Sequence, residues 1–383
     1  MRSKLNNLII ILLLILGCES EKIVQYFEYP DHNVLNIGSK LTDFIMTNDS
    51  NTLIAADKGN NRVLFIDVST DDMSIVKSIW VGSEPTSLET ADNGQYLLVG
   101  LRGASSVSVV SIDSMSLLGT IVLDEDSVYD IEYIDGTNQL VVSFVSSNPA
   151  YNLTKIYQWS GSPWNADFSV ELVVPNSSVN YAGPISSSDD GSNIFILDKY
   201  NGPPYRVYRY DITNEGLKNK VNSSNIADGP ISLHDLEYVP NFGLVAALAG
   251  SDFIDGTPLD HAPVFSLDNL SHIANLDVGS TPLALAYDSI GEHVYISPTD
   301  VDDNGMFIIE YNLQTQLQTN YYQVAGLLGS HALIVDYKGE YIYAAVDDLS
   351  DQDTDEPYNN SSFNIQRIKI LPEGTFSAIN NFE

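Results

Sequence analysis

Alternating apolar and polar positions, the pattern of half-buried β-strands, recur along most of the chain after residue 40. A short apolar or alternating segment leads to a polar turn, a second and a third apolar segment follow, and the pattern then begins again. No long segment beyond residue 20 repeats apolar residues at helical spacing, so we predict an all-β protein. The first strands of seven such units are predicted at residues 41–47, 86–91, 129–134, 183–188, 234–239, 283–288 and 331–336.

The turns that follow these first strands set the period of the repeat, because successive turns lie 43 to 54 residues apart. Several contain the Asp, Asn and Gly residues of tight hairpins. A fourth strand closes most units and is clearest at 74–82 and 273–279. Units of about 48 residues with four strands each are typical of β-propeller blades. We therefore predict a single-domain, seven-bladed β-propeller of four-stranded antiparallel blades over residues 32–383.

The seventh unit needs a fourth strand from elsewhere in the chain, because blades bury their faces only when the ring is closed. The segment HNVLNIGSKLTD, residues 32–43, has the pattern of a fourth strand that leads into the first unit. We predict that this N-terminal segment completes the seventh blade. The segment GTFSAI, residues 374–379, is the alternative.

The first two units carry a resemblance to a known repeat. They contain IAADKGNNRVLFIDV at 54–68, VGSEPTSLETADNGQYLLVG at 81–100 and the echo LLVGLRGASSVSVVSID at 97–113. This pattern resembles the YVTN type of propeller repeat, found in surface-layer and extracytoplasmic proteins of bacteria and archaea. The resemblance is good in units 1 and 2, fair in units 6 and 7 and poor in units 3 to 5. It implies a propeller with a binding surface and brings no catalytic residue with it.

The N-terminus, MRSKLNNLIIILLLILGC, has the layout of a secretory signal, with two basic residues, an apolar run at 8–16 and a small residue before Cys18. The run is short for a membrane-spanning helix. Residues 15–18, Ile-Leu-Gly-Cys, resemble the bacterial lipobox, which implies cleavage before Cys18 and acylation of that cysteine. An ordinary signal peptide with an incidental cysteine is the alternative. The corresponding segments are a signal peptide at 1–17 and the acylated cysteine with a linker at 18–31.

Cys18 is the only cysteine, so the chain forms no internal disulfide, and nucleophilic cysteine chemistry is excluded if Cys18 is the anchor. The acidic residues at 19–21 resemble surface-export signals of some Bacteroidetes lipoproteins. We predict a lipid-anchored, extracytoplasmic protein of the bacterial cell envelope, at the outer membrane or cell surface rather than the inner membrane. The membrane is then a partner through the lipidated Cys18, and the propeller body is predicted to be a monomer.

The net charge of −34 repels phosphate backbones and argues against nucleic acid as a partner. Two interpretations of this acidic composition are open. It either provides solubility in a salty or extracellular setting, or it attracts cations or a basic partner.

Much of the acidity lies in loops predicted between second and third strands of units 5 to 7. Propellers place these loops on one face, where function is most often found. The loops form either a binding surface with a strong negative field, which we call the acidic loop face, or solvated hairpin tips. The carboxylates concerned are Asp252, Asp255, Asp260, Asp347, Asp348, Asp351, Asp353 and Asp355.

One loop has the spacing of a calcium ligand set. Asp300, Asp302 and Asn304, followed by Gly305, fit the first half of a calcium loop, in which alternating oxygen ligands surround one cation. The position that should hold the last Glu ligand is Tyr311, so the loop is not an EF-hand. It resembles the shortened calcium hairpins of some propellers, such as integrin α-chains, which implies calcium as a cofactor. An ordinary Asp/Asn/Gly hairpin is the alternative.

A second group of candidates lies where the first strands begin. His234 and His331 occupy equivalent positions in units 5 and 7, and Asp43, Asp130 and Asp235 lie one place later in units 1, 3 and 5. We predict that these five residues ring the mouth of the central channel. Histidines beside carboxylates can bind zinc or transfer protons. Aspartates at this position also commonly tie neighbouring blades through backbone hydrogen bonds, and that alternative stays open.

No nucleophile elbow, HExxH motif, CxxC motif or phosphate-binding glycine loop is present in the sequence. We therefore predict no catalytic residue. The favoured function is a binding or scaffold module at the cell envelope that holds an unidentified protein or glycan ligand on the acidic loop face. The alternative is a hydrolase similar to the propeller lactonases, with a metal at the channel mouth.

Overall fold

Seven four-stranded antiparallel sheets follow one another along the chain, as the repeat predicts. A computed structural model of the protein describes residues 33–123, 127–134, 137–146, 153–159, 170–171, 179–198, 205–213, 215–224, 226, 231–250, 261–278, 282–298, 306–324, 326–347 and 363–372. The protein is a single-domain, seven-bladed β-propeller, and the predicted fold class is confirmed.

Each of the first six blades is built from four consecutive strands. Blade 1 consists of β2 (Leu41–Met46), β3 (Thr52–Asp57), β4 (Arg62–Asp67) and β5 (Ser74–Trp80), and blade 2 of β6 (Pro85–Ala91), β7 (Tyr96–Leu101), β8 (Ser106–Ser111) and β9 (Ser116–Val122). Blade 3 consists of β10 (Ser127–Ile134), β11 (Gln139–Val145), β12 (Leu153–Trp159) and β13 (Val170–Glu171), and blade 4 of β14 (Ile185–Ser187), β15 (Asn193–Leu197), β16 (Val207–Thr213) and β17 (Gly216–Asn222). Blade 5 consists of β18 (Ile231–Val239), β19 (Gly243–Gly250), β20 (His261–Phe265) and β21 (His272–Asp277), and blade 6 of β22 (Pro282–Asp288), β23 (His293–Pro298), β24 (Met306–Asn312) and β25 (Leu317–Val324).

Blade 7 contains β26 (Leu327–Val335), β27 (Tyr341–Asp347) and β28 (Phe363–Lys369), and its outer strand is β1 (Asn33–Asn36) from the start of the described chain. One short 3-10 helix, Lys58–Asn60, lies between β3 and β4. The first strand of each blade lines the centre of the ring and the fourth lies at the rim.

The ring is closed by β1, which pairs antiparallel with β28. The backbone N–H groups of Ile37 and Gly38 both donate to the Phe363 carbonyl at 3.0 Å. From β28, the buried Arg367 reaches blade 1 and donates to the carbonyls of Val68 at 3.0 Å and Thr70 at 2.6 Å. The prediction that the N-terminal segment completes blade 7 is confirmed, and the alternative segment 374–379 lies outside the described residues.

The hydrophobic core lies between the blades. The described residues contain seven apolar clusters, one for each pair of neighbouring blades. The second and third strands are covered on both faces, so their sequences are nearly continuous apolar runs, as in QLVVSFV of β11. The fourth strands face solvent, and the Trp80 side chain in β5 is 67% exposed. A blade therefore gains its stability from its neighbours rather than from its own sheet.

Blade 6 encloses a buried carboxylate. Glu310 in β24 accepts hydrogen bonds from the Thr319 hydroxyl at 2.7 Å, the Asn320 side chain at 3.1 Å and the Tyr322 hydroxyl. The Leu371 N–H, just beyond blade 7, donates to the Tyr322 oxygen at 3.3 Å. This network attaches the end of the described chain to blade 6.

Candidate functional site

A central channel of about 880 Å³ runs through the ring and is lined by the first strands of all seven blades. We call the end at which these strands begin the upper rim and the end at which they finish the lower rim. Among the described residues, three Lys and Arg side chains line the channel, all in blades 1 and 2 at the upper rim: Lys40, Lys58 and Arg102. The described part of the lining also contains nine carboxylates: Asp43, Glu89, Asp130, Glu132, Asp189, Asp235, Glu237, Asp288 and Asp336.

Most of the first strands have a β-bulge at the same place. The pairing register shifts between Leu41 and Asp43, and the equivalent shift occurs in four other first strands, at Pro85/Ser87, Val128/Asp130, Leu233/Asp235 and Pro282/Ala284. A bulge places an extra residue in one strand and changes the direction of the side chains beside it. In blades 1, 3 and 5 the residue after the bulge is an aspartate, and all three aspartates line the channel.

Each of these aspartates joins two blades. Asp43 accepts a hydrogen bond from its own neighbour, the Phe44 N–H at 2.7 Å, and a second from the Leu88 N–H of blade 2 at 2.6 Å. The Coulomb attraction between a carboxylate and amide dipoles makes such bonds stronger than neutral ones.

The arrangement repeats twice around the ring. Asp130 accepts from Ile131 and from Ile185 of blade 4, both at 2.9 Å. Asp235 accepts from Leu236 and from Leu285 of blade 6, both at 2.9 Å. We call Asp43, Asp130 and Asp235 the aspartate clamps. They tie blades 1 to 2, 3 to 4 and 5 to 6, which is the blade-tying role that the sequence left open.

The clamps occur on alternate blades for a geometric reason. Each clamp accepts a hydrogen bond from one N–H group of the next blade. That N–H belongs to the residue that follows the clamp position of the next blade, as Leu88 follows Ser87. An aspartate at that next position would need the same N–H group for itself. The three positions concerned hold Ser87, Pro184 and Ala284.

The two candidate histidines are placed less completely. His234 is half-buried in β18 and lines the channel next to Asp235. His331 lies in β26, and its side chain is outside the described part of the structure. Among the residues that the structure describes, no group of three or more His, Cys, Asp or Glu side chains is arranged to hold a metal ion. The zinc or acid–base role of the histidines stays a prediction.

A second layer of carboxylates lies below the clamps and was missed at the sequence level. Glu89, Glu132 and Glu237 lie in blades 2, 3 and 5, each two residues beyond the clamp position of its blade. Glu132 accepts from the Ser187 N–H at 3.1 Å and the Ser187 hydroxyl at 2.5 Å. Glu89 accepts from the N–H of Thr90 at 2.7 Å. The sequences DIE and DLE at 130–132 and 235–237 carried the signal, because strand residues two apart face the same way.

Burial in the channel raises the pKa values of four of its acidic side chains, Asp43, Glu89, Glu132 and Glu237. Burial is the largest effect at Glu132, where the charge of Asp130 adds to it and the Ser187 hydrogen bonds oppose it, and the pKa rises to about 7. The pKa of Glu237 lies well above its usual range because of burial and then the charges of Asp235, Glu132 and Asp189. Burial also raises the pKa values of Glu89 and Asp43 well above the usual range.

These shifts predict a specific pH dependence of stability. The folded state holds the Glu132 proton more tightly than the unfolded chain does, so its stabilising contribution is complete below pH 4.5 and is lost as the pH rises through 7. Glu132→Gln keeps an acceptor for Ser187 but does not ionise. Between pH 5 and pH 8 we expect the free energy of unfolding of this variant to fall by about 3 kcal/mol less than that of the wild type. Urea unfolding across this range measures the effect. The exposed Glu215→Gln change should leave the wild-type slope unaltered, and equal slopes in all three proteins would contradict the prediction.

The other candidates fall largely outside the described residues. Asp347 ends β27, whereas Asp252, Asp255, Asp260, Asp348, Asp351, Asp353 and Asp355 are not described. The same holds for Cys18 and for the calcium candidates Asp300, Asp302 and Asn304. The acidic loop face, the lipid anchor and the calcium loop therefore stay predictions. Within the described ranges no helix has the length and apolarity needed to cross a bilayer.

Comparison with known proteins supports the fold alone. No family model matches the sequence, and no curated protein matches it. Among solved structures, the chain is similar to hydrazine synthase of Kuenenia stuttgartiensis, with a TM-score of 0.67 and 15% identity over 91% of this chain and 99% of that chain. It is also similar to the Cps50 (Swd1) β-propeller domain of Myceliophteria thermophila, with a TM-score of 0.59 and 13% identity over 88% of this chain and 100% of that chain. U3-55K gives a TM-score of 0.60 at 12% identity over 88% and 98% of the two chains.

Proposed function

We propose that the protein is a lipid-anchored, extracytoplasmic binding or scaffold module of the bacterial cell envelope, which holds a protein or glycan ligand on its acidic loop face. The observation that carries this proposal is the use of the channel aspartates. Asp43, Asp130 and Asp235 are engaged in backbone hydrogen bonds between blades, which supports a structural role for them. The loops carry further polar groups, on the face where propellers commonly bind partners.

The proposed organisation of the chain fits this role. We assign residues 1–17 to a lipoprotein signal peptide, 18–31 to the acylated Cys18 and a tether, and 32–383 to a propeller of the YVTN type. The first described strand begins at Asn33. A fully extended tether of this length spans about 45 Å, so it allows the body to stand clear of the membrane surface. The ligand favoured by the net charge of −34 is a basic segment of another envelope protein.

Binding to a basic probe tests the acidic loop face. We expect an oligoarginine peptide to bind residues 22–383, and replacing Asp351, Asp353 and Asp355 with Asn to weaken that binding at least fivefold in surface plasmon resonance. A control with the same loss of charge replaces Asp72, Asp113 and Glu215, which are exposed and remote from these loops in the sequence. Equal weakening in both triple variants would contradict a localised face, whereas binding of an envelope glycan in place of the peptide would assign the face to a glycan.

Two further variants test the anchor and the cofactor. The full chain expressed in a bacterium should incorporate a palmitate label that Cys18→Ala abolishes.

Elemental analysis should find calcium bound at the loop 300–304, and Asp302→Ala should remove it. Stoichiometric zinc together with lactone or ester hydrolysis would overturn the binding function in favour of the hydrolase.

A further inference from the structure

The part of the channel between the aspartate clamps and the lower rim has one strongly acidic side. Glu89, Glu132 and Glu237 project from blades 2, 3 and 5. The charge of Glu132 raises the pKa values of both Glu89 and Glu237. The basic residues of the channel lie at the upper rim, where the Lys58 ammonium pairs with Glu84 at 3.0 Å. No basic side chain therefore balances the three glutamates from within the described residues.

Glu237 is the least satisfied of the three. Protein packs around it in the channel lining, so burial is the largest effect on its pKa. Its other influences are all repulsive, from Asp235, Glu132 and Asp189, and no hydrogen bond to its carboxylate stabilises the charged form within the described part of the chain. Glu237 is half-buried in the channel wall, and a nearby cation would stabilise its charged form. None of the described residues places a Lys or Arg side chain at this level of the channel.

The opposite side of the same level is apolar. Blades 6 and 7 place Ala286 and Ile334 at the positions equivalent to Glu237, and both line the channel. A cation that suits this cross-section has a charged part for the glutamates and an apolar part for the other side. The carboxylates are also spread over several blades, and the described residues contain no cluster able to hold one metal ion. An organic ammonium with methylene groups fits these conditions better than a hydrated metal ion.

The described side chains differ between the two rims of the channel. The upper rim carries Lys40, Lys58 and Arg102. The lower rim carries Tyr238, Tyr287 and Tyr337, with the exposed Asp189 beside them. Tyrosine faces and carboxylates attract ammonium groups, whereas the three basic side chains repel them. Among the described residues, the lower rim is therefore the more favourable place for an ammonium group.

We propose that the lower half of the central channel is a binding site for a linear polyamine, with its ammonium groups held by Glu237 and the Glu89–Glu132 pair and its methylenes against Ala286 and Ile334. The channel volume of about 880 Å³ is within the range of small-molecule sites and leaves room for water around such a ligand. The site is separate from the acidic loop face and needs neither the lipid anchor nor calcium. It goes beyond the proposed function and does not depend on it.

Calorimetric titration of residues 22–383 with spermidine at pH 7 tests the site, because this segment retains all 28 strands of the ring. We expect binding that Glu237→Gln weakens at least tenfold. The control Glu215→Gln removes an equal charge from an exposed position outside the channel and should change the affinity less than twofold. Glu89→Gln provides a second channel variant if Glu237→Gln fails to fold.

Proton release separates binding in the channel from attraction to the acidic surface. An ammonium ion stabilises the ionised form of Glu132, whose pKa is about 7, so binding at pH 7 should release a fraction of a proton, seen as a difference in heat between two buffers of unequal ionisation enthalpy. Spermidine bound at the surface would release almost none. The proposal is overturned by an absence of binding at millimolar spermidine, by equal weakening in Glu237→Gln and Glu215→Gln, or by binding without proton release. Displacement of spermidine by stoichiometric calcium would also overturn it.

Discussion

A chain that begins at Ser39, and therefore lacks β1, is expected to lose about 5 kcal/mol or more of its free energy of unfolding, from four strand pairs and two apolar side chains. The loss has three sources. The ladder between β1 and β28 disappears, and so do the bonds from Ile37 and Gly38 to the Phe363 carbonyl. Leu35 and Ile37 also no longer pack against the cluster between blades 7 and 1.

The matched control begins at residue 32 and keeps β1 intact. Its thermal and urea unfolding should coincide with those of the chain from residue 22, because β1 starts at Asn33. We expect the shorter chain to melt well over 10 °C lower, or to fail to close and aggregate. A melting temperature within 2 °C of the control would show that another segment closes blade 7.

The second large effect is expected from Asp130→Ala. Removing the carboxylate leaves the N–H groups of Ile131 and Ile185 without their acceptor between blades 3 and 4. A buried donor left without a partner costs about 1–3 kcal/mol, so we expect a loss of about 3 kcal/mol in urea unfolding.

Ser87→Ala is the matched control for this change. Ser87 occupies the clamp position of blade 2, and its buried hydroxyl has no hydrogen-bond partner among the described residues. Its removal should alter stability by less than about 0.5 kcal/mol, since no bond is lost. Similar losses for both variants would mean that the clamps act through packing rather than through hydrogen bonds.

The strands of this chain could be predicted from the sequence because propeller blades repeat regularly. The first strand predicted at 129–134 is observed at Ser127–Ile134, and the fourth strand predicted at 74–82 is observed at Ser74–Trp80. Apolar second strands and hairpin turns depend on local chemistry, which the sequence displays directly. In the third unit, the described part of the fourth strand is Val170–Glu171, which pairs with two residues of β12.

The glutamate layer could not be placed in the same way. Alternation shows that Asp130 and Glu132 share a face, but the bulge upstream decides which face looks into the channel. A bulge is one extra residue in the pairing of two strands, and the sequence of β10 alone does not predict it. The channel also brings together Glu132 and Glu237 from blades separated by more than 100 residues, and only the closed ring creates that proximity.

The aspartate clamps have a consequence for redesign of the ring. They link the blades in pairs, 1 with 2, 3 with 4 and 5 with 6. Because the ring has seven blades, blade 7 is left without a clamp, and its sheet is instead completed by the N-terminal strand β1. An engineered ring enlarged by duplicating blades 3 and 4 together would gain a complete clamp. Duplicating blade 3 alone would set two aspartates against one N–H group. The natural module for building with this protein is a pair of blades.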